Sequence, residues 1–242
     1  VNYTVMGNYV PDIERVSHES APLIYTLGSF LYLAKAFNNA RRDNQPTCMP
    51  SINDEGVFEL RDALPIATRI EGNLPVNVDF NYARGNNHVI LSGPHSGGKT
   101  ELLKNIGVYH ALALSGFPVP AESANVPLTR RIVTSFKKRG NENKGSLESE
   151  INETSGVIKS LQQGDLVLWD EFLDTTKPEL AAHIEEPLLE GFSSSQASVV
   201  LVSHRATSLR QDLGFRFMYP ELVEIEVPEG EVAYYIRSES TQ

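Results

Sequence analysis

The feature that most constrains the fold is a run of eight residues near the middle of the chain. It matches the pattern G-x-x-x-x-G-K-[ST] and consists of Gly93-Pro94-His95-Ser96-Gly97-Gly98-Lys99-Thr100. In a loop of this kind the glycines let backbone N–H groups cradle phosphate oxygens, the lysine reaches the β- and γ-phosphates, and the final hydroxyl holds Mg²⁺. The pattern therefore predicts that all eight residues bind the phosphates of ATP, with Lys99 acting in catalysis and Thr100 as a ligand of Mg²⁺.

The residues on both sides of this loop supply the setting that the chemistry needs. The apolar run Val89–Leu91 predicts a strand that leads into the loop. A helix is predicted after the loop, because apolar residues recur there at helical spacing and Gly116 is placed to end it. Its expected buried face consists of Leu102, Leu103, Ile106, Tyr109 and Ala113. This order aims the helix N-terminus at the phosphates, which an ordinary glycine-rich turn would not do.

Short β-rich runs alternate with helical stretches over most of the chain. The expected strands are Val57–Leu60, Val76–Phe80, His88–Ser92, Ile132–Phe136, Leu166–Trp169 and Ala197–Ser203. The last three are continuous and apolar, as strands buried on both faces of a parallel sheet should be. The tail, with runs Leu222–Val227 and Glu231–Arg237, predicts a hairpin on one edge. The sequence therefore predicts an α/β fold of the P-loop NTPase class, with a largely parallel central sheet and antiparallel edge strands.

The chain begins with a segment of different character. A helix is expected from about Ser17 to Arg42, and polar residues with two prolines follow it, so we divide the chain into an N-terminal segment, residues 1–45, and an ATPase domain, residues 46–242. No apolar run is long enough for a transmembrane helix, and the single cysteine, Cys48, indicates a reducing, cytoplasmic setting. The net charge of −10 argues against a chain that grips DNA by itself.

Acidic residues and a histidine follow two of the expected strands. Asp170 and Glu171 come directly after Leu166–Trp169, where Asp170 would hold Mg²⁺ and Glu171 would polarise the attacking water. His204 follows the strand Ala197–Ser203, at the edge where nucleotides bind in open α/β sheets, so it could contact the γ-phosphate. A surface turn and a structural histidine are the alternatives for these two features.

Taken together, these motifs resemble the MutS family of DNA repair proteins. The segments that carry the resemblance are the phosphate loop, Gly116–Ala121, Arg131–Thr134, Gly145–Thr154, Leu168–Glu171 and Ser203–His204. Their order and spacing agree with the family over about residues 20–227. The residues near 18–42 resemble the end of the family's lever, which links the ATPase to the DNA clamp.

The resemblance implies an ABC-type ATPase head that hydrolyses ATP as a nucleotide-dependent homodimer. Each nucleotide would lie between the phosphate loop of one subunit and the signature segment of the other, where Ser146 would contact the γ-phosphate in trans. Ser146 could instead cap its own helix, whose apolar face steps through Leu147, Ile151, Thr154, Ile158 and Leu161. DNA would be contacted through other parts of a longer protein, and no membrane is implied.

Two departures from the family pattern keep other functions open. The family's Ser-Thr-Phe is Gly-Ser-Leu at residues 145–147, and its Gly-Arg-Gly-Thr is Leu-Asp-Thr-Thr at residues 173–176. The second loop normally crosses the dimer interface, so a nucleotide-binding switch with negligible hydrolysis is the first alternative. A transporter-type engine lacks support because the Leu-Ser-Gly-Gly-Gln signature is absent, and RecA-like or AAA+ motors fit the order of Ser146 and His204 less well.

Overall fold

A computed structural model describes residues 45–66, 77–93, 98–136, 147–170, 178–203, 213–226 and 232–240. The chain divides into two compact units, Val1–Asn44 and Gln45–Gln242, and every described residue lies in the second. The N-terminal helix and lever expected near residues 17–42 therefore lie outside the described residues. Within the described ranges, no helix has the length and apolar character that crossing a membrane requires.

The described residues form ten strands and three helices. The strands are β1 (Ser51–Asn53), β2 (Phe58–Ala63), β3 (Val78–Tyr82), β4 (His88–Leu91), β5 (Ser123–Pro127), β6 (Arg131–Ser135), β7 (Asp165–Trp169), β8 (Ser198–Val202), β9 (Arg216–Glu226) and β10 (Val232–Ser240). The helices are α1 (Lys99–Leu114), α2 (Leu147–Ser160) and α3 (Pro178–Ser193).

Six strands form the central sheet, in the order β10-β9-β4-β8-β7-β6. All neighbouring pairs from β9 to β6 are parallel, and only β10 is antiparallel to its neighbour. This arrangement confirms the expected parallel sheet with a hairpin on its edge. The first strand of the hairpin, β9, begins at Arg216 and not at the expected Leu222. Its first residues, Arg216–Met218, pair in parallel with Val89–Leu91.

The remaining strands are not part of the central sheet. They form a second sheet of four strands, in the order β1-β5-β2-β3. Strands β1 and β5 were not predicted, because β1 has only three residues and the alternation of β5, Ser-Ala-Asn-Val-Pro, is short and ends in a proline. Strand β1 pairs with β5 in parallel, while β2 runs antiparallel to both β3 and β5.

Helices cover both faces of the central sheet, because the core strands are apolar on both sides. On one face, α2 and α3 pack over a cluster that includes Val167, Val199 and Leu201. On the other face, α1 contacts β7 and β8, and its expected buried residues are all buried. The contact with β7 is close: a Cβ added at Gly107 would lie 2.9 Å from Leu168 Cδ1.

Both ends of α1 follow from local sequence. The helix ends as Gly116 predicts: this residue has a φ of 75°, and the N–H of Phe117 donates to the carbonyl of Leu112 at 3.0 Å. The N–H of Gly116 donates to Ala113, which completes a Schellman motif. At the other end, Gly98 is the N-cap residue in a left-handed conformation, which glycine adopts without a steric cost. The fold therefore fixes where α1 starts, directly after the phosphate loop.

Candidate functional site

The carboxyl ends of three neighbouring parallel strands meet at one edge of the central sheet. Strand β8 lies between β4, which leads into the phosphate loop, and β7, which leads to Asp170. Backbone hydrogen bonds continue past the strand ends: the N–H of Ser203 donates to Leu91 at 3.1 Å, and the N–H of Asp170 donates to Ser135 at 2.8 Å. The site residues therefore leave a rigid edge, which is the usual position of ligand sites in open α/β sheets.

Lys99 is the first residue of α1 and lies against the start of the loop. Its side chain donates from Nζ to the carbonyl oxygen of Gly93 at 2.9 Å, and only 4% of the residue is exposed. The ammonium group is thus held between the two ends of the phosphate loop. A buried cation at the N-terminus of a helix, where backbone N–H groups are directed outward, attracts phosphate anions.

The two expected ligands of Mg²⁺ are in direct contact. The hydroxyl of Thr100 donates to Oδ1 of Asp170 at 3.0 Å, although 70 residues separate them in the chain. Asp170 itself is 7% exposed. A hydroxyl and a carboxylate are the oxygen ligands that Mg²⁺ prefers, and Mg²⁺ usually takes only one or two protein ligands while keeping several waters. The donor set therefore fits Mg²⁺, which would replace this hydrogen bond when it binds.

A charged residue that the sequence analysis missed stands directly after Thr100. Oε1 of Glu101 forms an ion pair with Nζ of Lys104 at 2.6 Å. Its other carboxylate oxygen, Oε2, is buried and has no hydrogen-bond partner. The signal available in the sequence was a carboxylate in the first turn of the helix that carries the phosphate loop.

The structure describes part of the expected site and brings that part together. Gly93, Gly98, Lys99, Thr100 and Asp170 all lie at the same edge. The other expected site residues lie outside the described residues, and their roles stay predictions: Pro94, His95, Ser96, Gly97, Ser146, Glu171 and His204. Helix α3 begins at Pro178, and α2 begins at Leu147, one residue after Ser146.

The opposite, amino-terminal edge of the sheet is neutralised within the fold. The carboxylate of Asp165, at the start of β7, forms ion pairs with Arg130 at 2.7 Å and Arg131 at 3.0 Å. The Asp165 side chain is fully buried. Burial alone would raise the pKa of Asp165, but hydrogen bonds from Arg130, the N–H of Gln162 and Arg131 outweigh it and lower that pKa below its ordinary 3.8. A polar cleft of about 110 Å³ at this edge is lined by Asp54, Arg84 and Asp165 among others.

Comparison with known proteins identifies the family. A family model described as MutS domain V matches residues 89–212, just over half of the chain. The DNA-binding protein MutS2 of Pyrococcus furiosus is 34% identical over 69% of this chain and 30% of its own length. The endonucleases MutS2 of Maridesulfovibrio salexigens and Clostridium botulinum (strain Loch Maree) are each 29% identical, over 61% and 69% of this chain.

The match covers only part of these relatives. The aligned region amounts to 20% of the Maridesulfovibrio protein and 22% of the Clostridium protein. The chain thus spans less than a third of the length of each of these relatives. The family model nevertheless includes β4, α1, β7 and β8, which are the elements that form the site described above. The chain therefore belongs to the MutS family, and the matched region is its domain V, which is an ATPase-type domain.

Proposed function

We propose that this chain binds ATP with Mg²⁺ at the carboxyl edge of the central sheet and hydrolyses it, as the ATPase domain of a MutS-like DNA repair or recombination protein. Lys99 would bind the β- and γ-phosphates, Thr100 and Asp170 would hold Mg²⁺, and Glu171 would polarise the attacking water. His204 would contact the γ-phosphate.

The observation that carries this proposal is the contact between Thr100 and Asp170. Two separate motifs, one from the phosphate loop and one from the end of β7, place their oxygen ligands 3.0 Å apart. A structural role for the pair alone would leave unexplained why the lysine of the same loop is held beside it, with its Nζ 2.9 Å from the carbonyl of Gly93. One bound Mg²⁺–nucleotide uses all of these groups.

We further propose that hydrolysis requires two subunits. Ser146 of one copy would complete the nucleotide site of the other, and the nucleotide state would be coupled to DNA through parts of a longer protein. The names of the relatives, a DNA-binding protein and endonucleases, support a role in handling DNA. The net charge of −10 supports DNA contacts outside this chain. The single cysteine supports a cytoplasmic location.

The test is steady-state ATP hydrolysis with Mg²⁺, measured per chain over a wide range of protein concentration. We expect specific activity to rise with concentration, Glu171→Gln to abolish it, and Lys99→Ala to abolish nucleotide binding or turnover. Unchanged turnover in Lys99→Ala would reject the site. Activity that does not vary with concentration, together with a monomeric mass, would reject the shared site and leave the ATPase in place.

A nucleotide-binding switch is the second candidate. It is favoured by the loop at residues 173–176, where Leu-Asp-Thr-Thr replaces the family's Gly-Arg-Gly-Thr. A switch would bind ATP tightly and change its state of association without turnover. In that case Glu171→Gln would leave both nucleotide affinity and association as they are in the wild type, whereas an ATPase variant blocked at hydrolysis should accumulate the ATP-bound dimer.

A further inference from the structure

Glu101 is the one acidic side chain in the first turn of α1, immediately after Thr100. Its carboxylate forms an ion pair with Lys104 at 2.6 Å. The other two charged side chains described here are Lys99 and Asp170, which are expected to contact phosphate and Mg²⁺. These four residues carry two positive and two negative charges. These four side chains therefore sum to no net charge, so the described part of the site offers a phosphate group no excess of positive side-chain charge.

The hydrogen bonding of the Glu101 carboxylate is incomplete. Only Oε1 contacts the ammonium group, while Oε2 is buried without a partner. The Lys104 side chain is 39% exposed, so solvent screens its charge, whereas the Glu101 side chain is 27% exposed. The carboxylate of Glu101, offset only in part by the more exposed Lys104, therefore lies in the first turn of the helix whose backbone N–H groups would be directed at the phosphates.

Two anions cannot both use one helix N-terminus without repelling each other. The carboxylate of Glu101 is covalently fixed there, so a phosphate that arrives must bind against its field. The repulsion grows with the negative charge of the ligand. An ATP molecule that already carries Mg²⁺ has a charge of about −2 and free ATP about −4, so the free nucleotide suffers more.

We propose that Glu101 makes the phosphate site selective for the Mg²⁺-bound nucleotide by weakening the binding of free ATP more than that of Mg–ATP. This inference rests on the proposed nucleotide site. For charges roughly 8 Å apart in a water-like dielectric, one unit of ligand charge changes affinity about twofold. Removing the charge of Glu101 should therefore tighten Mg–ATP about fourfold and free ATP about sixteenfold.

The experiment is calorimetric titration of ATP into the full 242-residue chain at low salt, once with excess Mg²⁺ and once with a chelator. The variant Glu101→Gln keeps the size of the side chain and one oxygen that can accept from Lys104, and it removes the charge. We expect its affinity gain for free ATP to exceed its gain for Mg–ATP about fourfold, and the gains to shrink when salt is added. Lys104→Met, which removes the counter-charge, should shift both affinities in the opposite direction.

Two controls separate this inference from the proposed function. Glu55→Gln removes an equal charge from the exposed turn after β1, next to Asp54 of the amino-edge cleft, and should change neither affinity. If wild-type protein binds no ATP, or Lys99→Ala binds it as well as wild type does, the proposed function fails. If wild type binds ATP and Lys99→Ala does not, but Glu101→Gln gains equally for both ligands or not at all, the selectivity role of Glu101 is wrong. Matching thermal unfolding curves establish that the variants are folded.

Discussion

The two ends of β7 carry aspartates that are held in different ways. At the amino end, Asp165 is fully buried between two guanidinium groups and a backbone N–H, all belonging to the fold. At the carboxyl end, Asp170 accepts a hydroxyl from α1, beside a lysine that belongs to the phosphate loop. A carboxylate neutralised by fixed arginines has no charge left for a ligand, whereas a carboxylate beside a hydroxyl at the strand end can bind a cation.

Helix α1 also has a functional part and a structural part, but here the functional part comes first in the chain. Its first turn carries Lys99, Thr100 and Glu101 at the phosphate edge. Farther along, His110 is fully buried, stacks on Phe58 at 4.3 Å between ring centroids and lies 3.2 Å from the hydroxyl of Tyr82. This part of α1 joins the central sheet to the second sheet. Strand β7 and helix α1 therefore each have one end at the candidate ligand-binding edge and another part whose contacts are structural.

A change at the carboxyl end of β7 should have the largest effect on activity. Asp170→Asn retains an acceptor for the Thr100 hydroxyl but removes the charge that would hold Mg²⁺. We expect ATP turnover to fall by about 100-fold or more, because the Mg²⁺ contact stabilises charge on the transferred phosphoryl group. Turnover per folded chain and chemical unfolding are measured together. Normal turnover in this variant would remove Asp170 from the metal site.

The matched change at the structural end should lower stability and leave turnover unchanged. Asp165→Asn leaves two arginines facing a neutral side chain, and we expect a loss of about 2 to 3 kcal/mol in the free energy of unfolding. This loss is small for a broken buried ion pair, because the two arginine side chains are 43% and 38% exposed and solvent screens their charges. Turnover per folded chain should remain. Because the pKa of Asp165 is lowered, its stabilisation is present above pH 3.8 and is lost as the pH falls below that value. A variant as stable as wild type in urea would contradict the structural role.

The histidine of α1 supplies a pH test of the structural edge. Burial lowers the pKa of His110 from 6.5 to about 4, so the unfolded chain binds a proton between those values and the folded chain does not. Stability is therefore fully present above pH 6.5 and falls as the pH is lowered. From pH 7.5 to pH 5 the loss should be about 2 kcal/mol.

Urea unfolding of wild type and His110→Gln at both pH values isolates this contribution. The amide of glutamine does not titrate, so the variant should be less stable at pH 7.5 but should lose less on acidification. The other histidines contribute equally to both proteins and cancel in the difference. Parallel pH dependence in the two proteins would mean that the ring is not held neutral in the fold.

The functional edge was easier to predict from the sequence than the structural one. The buried face of α1 and its end at Gly116 follow from helical spacing and from a glycine that can adopt a positive φ. The meeting of Thr100 and Asp170 follows because the carboxyl ends of parallel strands share one edge. These patterns are local in the sequence, and the parallel arrangement of the strands brings their residues together at one edge of the sheet.

The second sheet and Glu101 could not be predicted in the same way. Strand β1 is defined only by its pairing with β5, more than seventy residues later in the chain, and that register depends on the folded partner. The loop pattern assigns no role to the residue after Thr100. Whether a carboxylate oxygen there becomes buried without a partner depends on side-chain packing, which no spacing rule describes.

Two helical glycines that differ in what lies beside them should give small changes in stability of opposite sign. Gly156, in α2, is exposed and a Cβ there would meet nothing within 4 Å, so Gly156→Ala should stabilise the chain by about 0.5 to 1 kcal/mol through helix propensity. At Gly107, where the Cβ would lie 2.9 Å from Leu168 Cδ1, overpacking should offset that gain and leave a net loss of up to about 1 kcal/mol. Urea unfolding of the two variants should thus give opposite signs.

Gly156→Ala also tests the proposed dimer, because α2 is the helix that would approach the partner's nucleotide. If α2 serves only its own subunit, Gly156→Ala should be more stable and hydrolyse ATP at the wild-type rate. If a partner packs closely on this face, the added methyl group should lower the concentration-dependent part of the activity while the isolated chain remains more stable. Loss of stability in the isolated chain would contradict both readings, because it would mean that the open face of α2 is already occupied within one subunit.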